Sequence, residues 1–298
     1  MSIAVATPIA IRKKPFAPQA ARIGLYVFLT VSAIFFLLPL LLVAMNSLKP
    51  LEEIRQGNLL AFPVNPNFDA WVTAWKTACT GLDCNGVRPG VWNSIKITIP
   101  AVVISTLAGA LNGYALAQWK SRHANLLMLL VTVGLFIPYQ AMLYPTVKIL
   151  SNVGLFRTYA GIVFVHVIYG LPYTTLLFRN FYVGVPDEIS RAARMEGASF
   201  LRTFWSIILP ISTNILVVVA ILQFTGIWND YLLGLIFAGN DNLPMTVQLT
   251  NIVNNARGAA NPNVNMAAAL ITAIPTLVVY FLSGRYFVRG IAAGAVKG

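Results

Sequence analysis

Acidic residues are scarce in this chain, with nine Asp and Glu in 298 residues against 21 Lys and Arg. All charged residues together make up only 10% of it, while 57% is hydrophobic. A soluble domain of that length needs far more charged surface, so a soluble fold is excluded. The net charge of +12 is an excess that a nucleic-acid-binding protein would use. In a chain this apolar, topology accounts for it, because lysine and arginine collect on the cytoplasmic side of membrane proteins. No nucleic-acid partner is expected.

What remains is a set of long apolar runs. A spanning helix needs roughly 20 apolar residues. Six stretches qualify: about Ile23–Met45, Ile97–Trp119, Ala124–Thr146, Thr158–Phe178, Phe204–Trp228 and Met266–Gly284, all free of Asp, Glu, Lys and Arg. Tyr231–Gly239 is apolar but too short to span, so it should fold back at the outer surface. Arg12, Lys13 and Lys14 precede the first run in the manner of a signal peptide, but its apolar core is too long for one and reads as a retained helix. Placing both termini in the cytoplasm puts most basic residues inside, among them Arg22, Lys120, Arg122, Arg191, Arg194 and Arg202, against Asp187, Glu188 and Glu196. Lys148 and Arg157 run against the rule. The expected fold is an all-α polytopic membrane protein with six transmembrane helices. A cytoplasmic tail at 1–22 precedes a membrane domain at 23–285, with an outer loop at 46–96 and an inner loop at 182–207, and 286–298 forms a second cytoplasmic tail.

The groups that catalysis needs are missing as well. The chain has two histidines and two cysteines, no GxxxxGK[ST] phosphate loop, and no histidine–carboxylate cluster with metal spacing. His123 sits in the inner turn KSRH, where an exposed histidine is expected; His166 lies inside the fourth span and either bonds to a neighbouring helix or serves function. No carboxylate occupies a span core, where an ion-driven pump would hold one, and Asp230 comes nearest, at the outer end of the fifth span. The chain is therefore expected not to be an enzyme, to hold no metal, and to draw no energy from ATP or protons by itself. Cys79 and Cys84 both fall in the outer loop, where a local disulfide is allowed and two free thiols are the alternative.

Prolines punctuate the spans at Pro39, Pro100, Pro138, Pro145, Pro172, Pro210 and Pro275, and each removes an amide donor and can kink its helix. Asn112, Gln140 and Tyr169 lie in or near apolar cores. In lipid they face other helices or a watery path, so with Asn229 and Asp230 they are the candidates for a substrate pathway, helix–helix hydrogen bonding being the other reading.

The stretch PDEISRAARMEGASFLRTFWSIILP, Pro186 to Pro210, is polar where a short connector would suffice. Pro186 and Asp187 suit a helix start. Ile189, Ala192 and Ala193 give an apolar face, with Glu188 and Arg191 at i,i+3 on a polar one. Gly197 interrupts, Ser199 can cap a second helix, and Phe200, Phe204, Ile207 and Ile208 repeat at helical spacing. A helix–turn–helix at the cytoplasmic mouth, shaped to meet another protein, is the expectation; an interfacial helix pair is the alternative.

At these residues the chain resembles the permease subunits of bacterial ABC importers, whose inner loop reads EAA, then a glycine, then I-x-LP. Arg191-Ala192-Ala193 stands for EAA, Glu196-Gly197-Ala198 for the usual DGA, and Ile207 to Pro210 for the ending. Arg191 in place of glutamate alters the charge presented, so no ion pair is carried over from that position. WNDYLLGLIF at Trp228–Phe237, LPMTVQL at Leu243–Leu249 and the terminal GAVKG resemble the smaller permease of maltose-type sugar importers. The resemblance implies half of a sugar pathway, a second permease as partner, and an extracytoplasmic sugar-binding protein docking outside. It also implies an ATPase dimer that carries the ATP and Mg, meeting Glu188, Arg191 to Ala193, Glu196 to Ala198, Phe200 and Phe204. A bacterial inner membrane is the implied location. A secondary transporter would need coupling-ion ligands, and a membrane-embedded enzyme a nucleophile or metal cluster. Residues near Arg257, with Asn254 and Asn255, are expected to reach the binding protein, because the connector after the fifth span is far longer than adjacent helices need. Mono- and oligosaccharide substrates both stay open, a monosaccharide such as glucose being the leading expectation.

Overall fold

The computed structural model describes residues 19–81, 83–254 and 261–295, with side chains of the final helix described as far as residue 284. Regular structure among the described residues is helical. In chain order the helices are α1 (Gln19–Ser47), α2 (Leu51–Arg55), α3 (Asp69–Lys76), α4 (Arg88–Gln118), α5 (Arg122–Phe136), α6 (Tyr139–Asn152) and α7 (Tyr159–Tyr182). They continue as α8 (Asp187–Met195), α9 (Phe200–Ile211), α10 (Thr213–Trp228), α11 (Leu232–Phe237), α12 (Met245–Val253) and α13 (Pro262–Ala295). Four of these, α1, α4, α7 and α13, are long and apolar enough to cross a membrane on their own.

Two of the six expected spans are bent pairs rather than single helices. The run read as Ala124–Thr146 breaks between α5 and α6, which meet at 104°. Pro138 has no amide hydrogen to continue the ladder, and it forces Ile137 into an extended conformation (ψ 119°). The run read as Phe204–Trp228 breaks at Ser212, where α9 and α10 meet at 83°. Phe204 to Ile211 therefore belongs to the inner loop's second helix, and α10 continues the run beyond the bend.

α4 and α7 form the centre of the body. Ala101, Ser105, Gly109 and Gly113 recur every four residues along α4 and are all buried. Their small size lets the two backbones approach closely, the packing mode that membrane helices use in place of a hydrophobic driving force. A Cβ on Gly109 would collide with Thr174, and one on Gly113 would lie 2.7 Å from the Arg179 amide nitrogen. The Thr174 hydroxyl donates to the Ser105 carbonyl across this seam at 3.1 Å. By contrast α1 buries only Met45, Asn46 and Ser47 and leans on α13.

The long loop after α1 is a folded cap. The Asn46 amide donates to the Leu59 carbonyl at 2.8 Å, and the Trp71 indole donates to the Ser47 hydroxyl at 3.1 Å. Lys49 is fully buried, its ammonium donating to the Asn58 carbonyl at 3.0 Å. Ala70, Ala74, Ala78 and Val87 pack on Ile252, Val264, Ala267 and Ala268. Cys79 and Cys84 are joined by a disulfide in the turn that follows α3. Tyr231–Gly239 holds α11, whose Leu233 and Phe237 pack into the same core as Ile162 and Val165 of α7.

Candidate functional site: a coupling loop and a tyrosine-lined groove

The α8–α9 loop is built from its caps outward. Pro186 leads into α8, and Asp187 and Glu188 occupy its first turn, where the helix dipole favours them. At the far end Gly197 adopts φ +80°, a conformation that costs a residue with a Cβ. The Ala198 amide reaches back to the Ala193 carbonyl and the Gly197 amide to the Arg194 carbonyl, both at 3.0 Å, which closes a Schellman turn. Ser199 then caps α9 by accepting from the Arg202 amide.

One face of this loop is anchored. Phe204 and Ile208 are fully buried against Tyr114 of α4 and Phe178 and Tyr182 of α7. The Tyr114 ring stacks on Phe200 at 4.8 Å and on Phe204 at 5.7 Å, and its hydroxyl lies 3.4 Å from the Ser190 hydroxyl. The other face is open. Glu188, Arg191, Ala192, Glu196 and Gly197 are exposed, and Met195 at the tip is 90% exposed. The nine residues expected at an ATPase contact thus divide by role. Phe204 and Ala193 point inward and cannot touch a partner; Phe200 is half-exposed over Tyr114, and Ala198 is partly buried. Arg191 reaches Asp187 at i,i+4 (3.5 Å), and Lys120 pairs with the same carboxylate. The hydrogen bond from Lys120 holds the Asp187 carboxyl below its ordinary range, helped by the nearby charges. Tyr114 went unnoticed in the sequence because a tyrosine within an apolar span has no local mark of its partners.

Between the middle of α7 and the C-terminal end of α10 lies a groove of about 910 Å³. Its polar lining includes Tyr139, Tyr169, Tyr231, Thr225, Asn229 and Asp230. Three of the five expected pathway residues, Tyr169, Asn229 and Asp230, come together here. Gln140 is exposed one residue beyond Tyr139 but does not line the groove. Asn112 is exposed on α4 beside Gly113 and does not line the groove. His166 is buried in α7 and stays out of the lining. The Tyr169 hydroxyl lies 3.0 Å from that of Thr146, and its ring meets Tyr139 at 6.3 Å. Asp230 accepts from the Gly234 amide at 2.9 Å and so caps α11; burial pushes its carboxyl above the ordinary range. Aromatic faces beside hydrogen-bonding groups suit a polyhydroxylated ligand. Asn254 ends α12 and is exposed, whereas Asn255 and Arg257 lie outside the described residues.

Residues 101–293 match the family described as binding-protein-dependent transport system inner membrane component. The chain belongs to this family, and it is a multi-pass membrane permease. It is 37% identical over 278 residues to a probable ABC transporter permease protein of Pyrococcus horikoshii, covering 93% of this chain and 98% of that one. It is 30% identical to the xylose/arabinose import permease of Haloferax volcanii (92% and 93% covered). It is likewise 30% identical to the arabinooligosaccharides transport system permease of Halalkalibacterium halodurans (96% and 99% covered). A chain in the crystal structure of a bacterial ABC transporter involved in import of the acidic polysaccharide alginate shares the fold. Its TM-score is 0.77 at 20% identity, over 92% of this chain and all of that one.

Proposed function

We propose that this chain is one of two permease subunits of an ATP-driven, binding-protein-dependent sugar importer. Both termini and the α8–α9 loop face the cytoplasm, and the tyrosine-lined groove lies toward the outer side. The observation that carries the reading is the α8–α9 loop itself, bolted to Tyr114 by its buried face while Met195 and its neighbours stand in solvent. A connector has no need of a buried anchor and a bare apolar tip together. That tip fits a cleft on a separate ATPase subunit, which supplies ATP and Mg. The sugar class rests on the import permeases named above and on the lining of the groove.

Residues near Asn254 and Arg257 serve the docked binding protein outside. The coupled-ion alternative is disfavoured because Asp230, the one carboxylate among the described residues lining the groove, is already spent on capping α11. The test is a crosslink. Met195→Cys in the co-expressed, reconstituted transporter should join the ATPase subunit under oxidant when that subunit carries a cysteine in its docking cleft. Loaded binding protein should also stimulate ATP hydrolysis. Sugar uptake driven by an ion gradient with no ATPase present would overturn the proposal.

A further inference from the structure

A second pocket, of about 510 Å³, opens where α4 ends, α5 begins and α7 approaches its last turn, at the same end of the body as the coupling loop. Its lining includes Trp119, Lys120, Ser121, Arg122, Asn125 and Arg179. Among the described residues both ion pairs use Asp187, with Lys120 and Arg191 as the cations, so Arg122 and Arg179 take part in neither. The Arg179 Nε is buried without a hydrogen-bond partner, an arrangement that proteins rarely leave uncompensated. α5 opens with Arg122 and has no acidic residue in its first turn. A cation at the positive end of a helix dipole is the reverse of the favoured arrangement, and an anion there would reverse the sign of the interaction.

Below the pocket the surface changes character. Leu126, Leu129, Leu130 and Val133 follow Arg122 at i+4, i+7, i+8 and i+11, the spacing of one helix face. Each is at least half exposed, from 50% at Val133 to 58% at Leu130. Trp119, 50% exposed, sits beside the cations, at the level where indole rings favour the membrane interface. Cationic groups at the top of an exposed apolar stripe match the head and tails of one molecule. We propose that this pocket binds the phosphate of an anionic phospholipid of the inner leaflet, its acyl chains lying along α5. Arg122 and Arg179 hold the phosphate, and Ser121 and Asn125 border the site. Lys120, shared with Asp187 of α8, brings the bound lipid next to the coupling loop. The choice of the inner leaflet rests on the orientation proposed above.

The test uses the co-expressed, assembled transporter in mild detergent. Native mass spectrometry counts bound dioleoylphosphatidylglycerol and dioleoylphosphatidylcholine in the parent and in the double variant Arg122→Gln/Arg179→Gln. Two cations near a lipid phosphate predict phosphatidylglycerol binding weaker by about tenfold or more in the variant. Arg194→Gln/Arg202→Gln, which removes two other cations at the same end, should leave binding unchanged. Arg122→Gln alone should give a smaller loss in the same direction, and it replaces the double variant if that one fails to assemble. Equal phosphatidylglycerol binding by parent and variant overturns the proposal. So does full displacement of the lipid by millimolar inorganic phosphate, which would mark a small-anion site. Lipid held by the permease pair but expelled when the ATPase is added would assign the pocket to an acidic protein surface and also overturn it. Lipid counting needs neither transport nor orientation. Labelling Arg122→Cys with an impermeant maleimide in right-side-out and inverted vesicles tests the orientation separately.

Discussion

Gly197 offers the most discriminating perturbation, because sterics and conformation separate there. Its φ is +80°, yet a Cβ built on it meets no atom within 4 Å. Adding a methyl group therefore costs nothing in contacts within this chain and acts only through the backbone. A residue with a Cβ pays about 1–2 kcal/mol in the left-handed region, whereas asparagine visits that region more readily. At 1 kcal/mol the ratio of closed to open Schellman turn falls about fivefold. Gly197→Ala should thus weaken productive engagement of the ATPase by about that factor, and Gly197→Asn by clearly less. Gly197→Phe adds bulk at the exposed tip to the same strain and should abolish ATP hydrolysis stimulated by loaded binding protein. Membrane levels should stay normal in all three, since Phe204, Ile208 and Tyr114 hold the loop from its other face. The assay is sugar-stimulated ATP hydrolysis by the reconstituted transporter, with complex assembly measured alongside. Normal stimulation in Gly197→Phe would sink the docking role. Equal losses in the alanine and asparagine variants would show that strain is not what the turn supplies.

Three further outcomes follow from the geometry. Gly109→Ala should lower stability by about 1–3 kcal/mol through overpacking against Thr174, and Gly109→Leu should deplete the protein from the membrane; immunoblots of membrane fractions and thermal unfolding in detergent check both. Mass spectrometry of unreduced, thiol-blocked protein should recover Cys79 and Cys84 in one linked peptide, and Cys79→Ser/Cys84→Ser should loosen the cap but leave transport, because the ring it closes is short. Asp230→Asn keeps an acceptor for the Gly234 amide and should transport nearly as the parent does, while Asp230→Ala should lose about 1 kcal/mol of capping; inactivity of the asparagine variant would instead make the carboxylate charge essential.

The sequence pattern was most legible where one residue type has one physical use. Lack of charge marked the spans. Pro186, Gly197 and Ser199 mark the starts and stops of α8 and α9: the structure has N-caps at Pro186 and Ser199, and Gly197 directly follows the C-cap Glu196. It was least legible where packing decides. Pro138 and Pro210 can kink a helix, but a proline alone does not distinguish a mild bend from the 104° break at α5–α6, or from the 83° break at Ser212, two residues past Pro210. The four-residue spacing of Ala101, Ser105, Gly109 and Gly113 stood in plain view, but an apolar span hides small residues among larger ones. Phe204 matches the inner-loop pattern, which implies a partner contact, yet it is fully buried. Helical spacing fixes which face a residue shares, and only the tertiary fold says whether that face is turned inward. Of the groove, Tyr169, Asn229 and Asp230 were anticipated from polarity within or beside apolar runs. Tyr139, Tyr231 and Thr225 were not, because they converge from separate helices.

The loop and the groove are linked by two helices, α9 and α10, that meet at 83° at Ser212. α9 carries Phe204 and Ile208 at the coupling end, turns at Ser212, and continues as α10 to Thr225, with Asn229 just beyond its end in the groove. A helix of 16 residues spans about 24 Å and transmits a displacement along its length without absorbing it. A push on α9 that is carried through the turn at Ser212 should reach the groove as a movement of α10 against α7. The Gln223 amide resists that movement by donating to the Gly170 carbonyl at 3.1 Å, and Gly170 is small enough to admit it. Gln223→Leu removes the bond from the arrangement described here and from no arrangement in which the helices have separated. A net hydrogen bond contributes about 1 kcal/mol, so the variant should shift the balance away from this arrangement by about fivefold. Electron paramagnetic resonance distances between spin labels on α7 and α10 read that shift in the reconstituted transporter, and basal ATP hydrolysis should change with it. An unaltered distance distribution in Gln223→Leu would mean that α10 and α7 move together, and the route from loop to groove would have to run elsewhere.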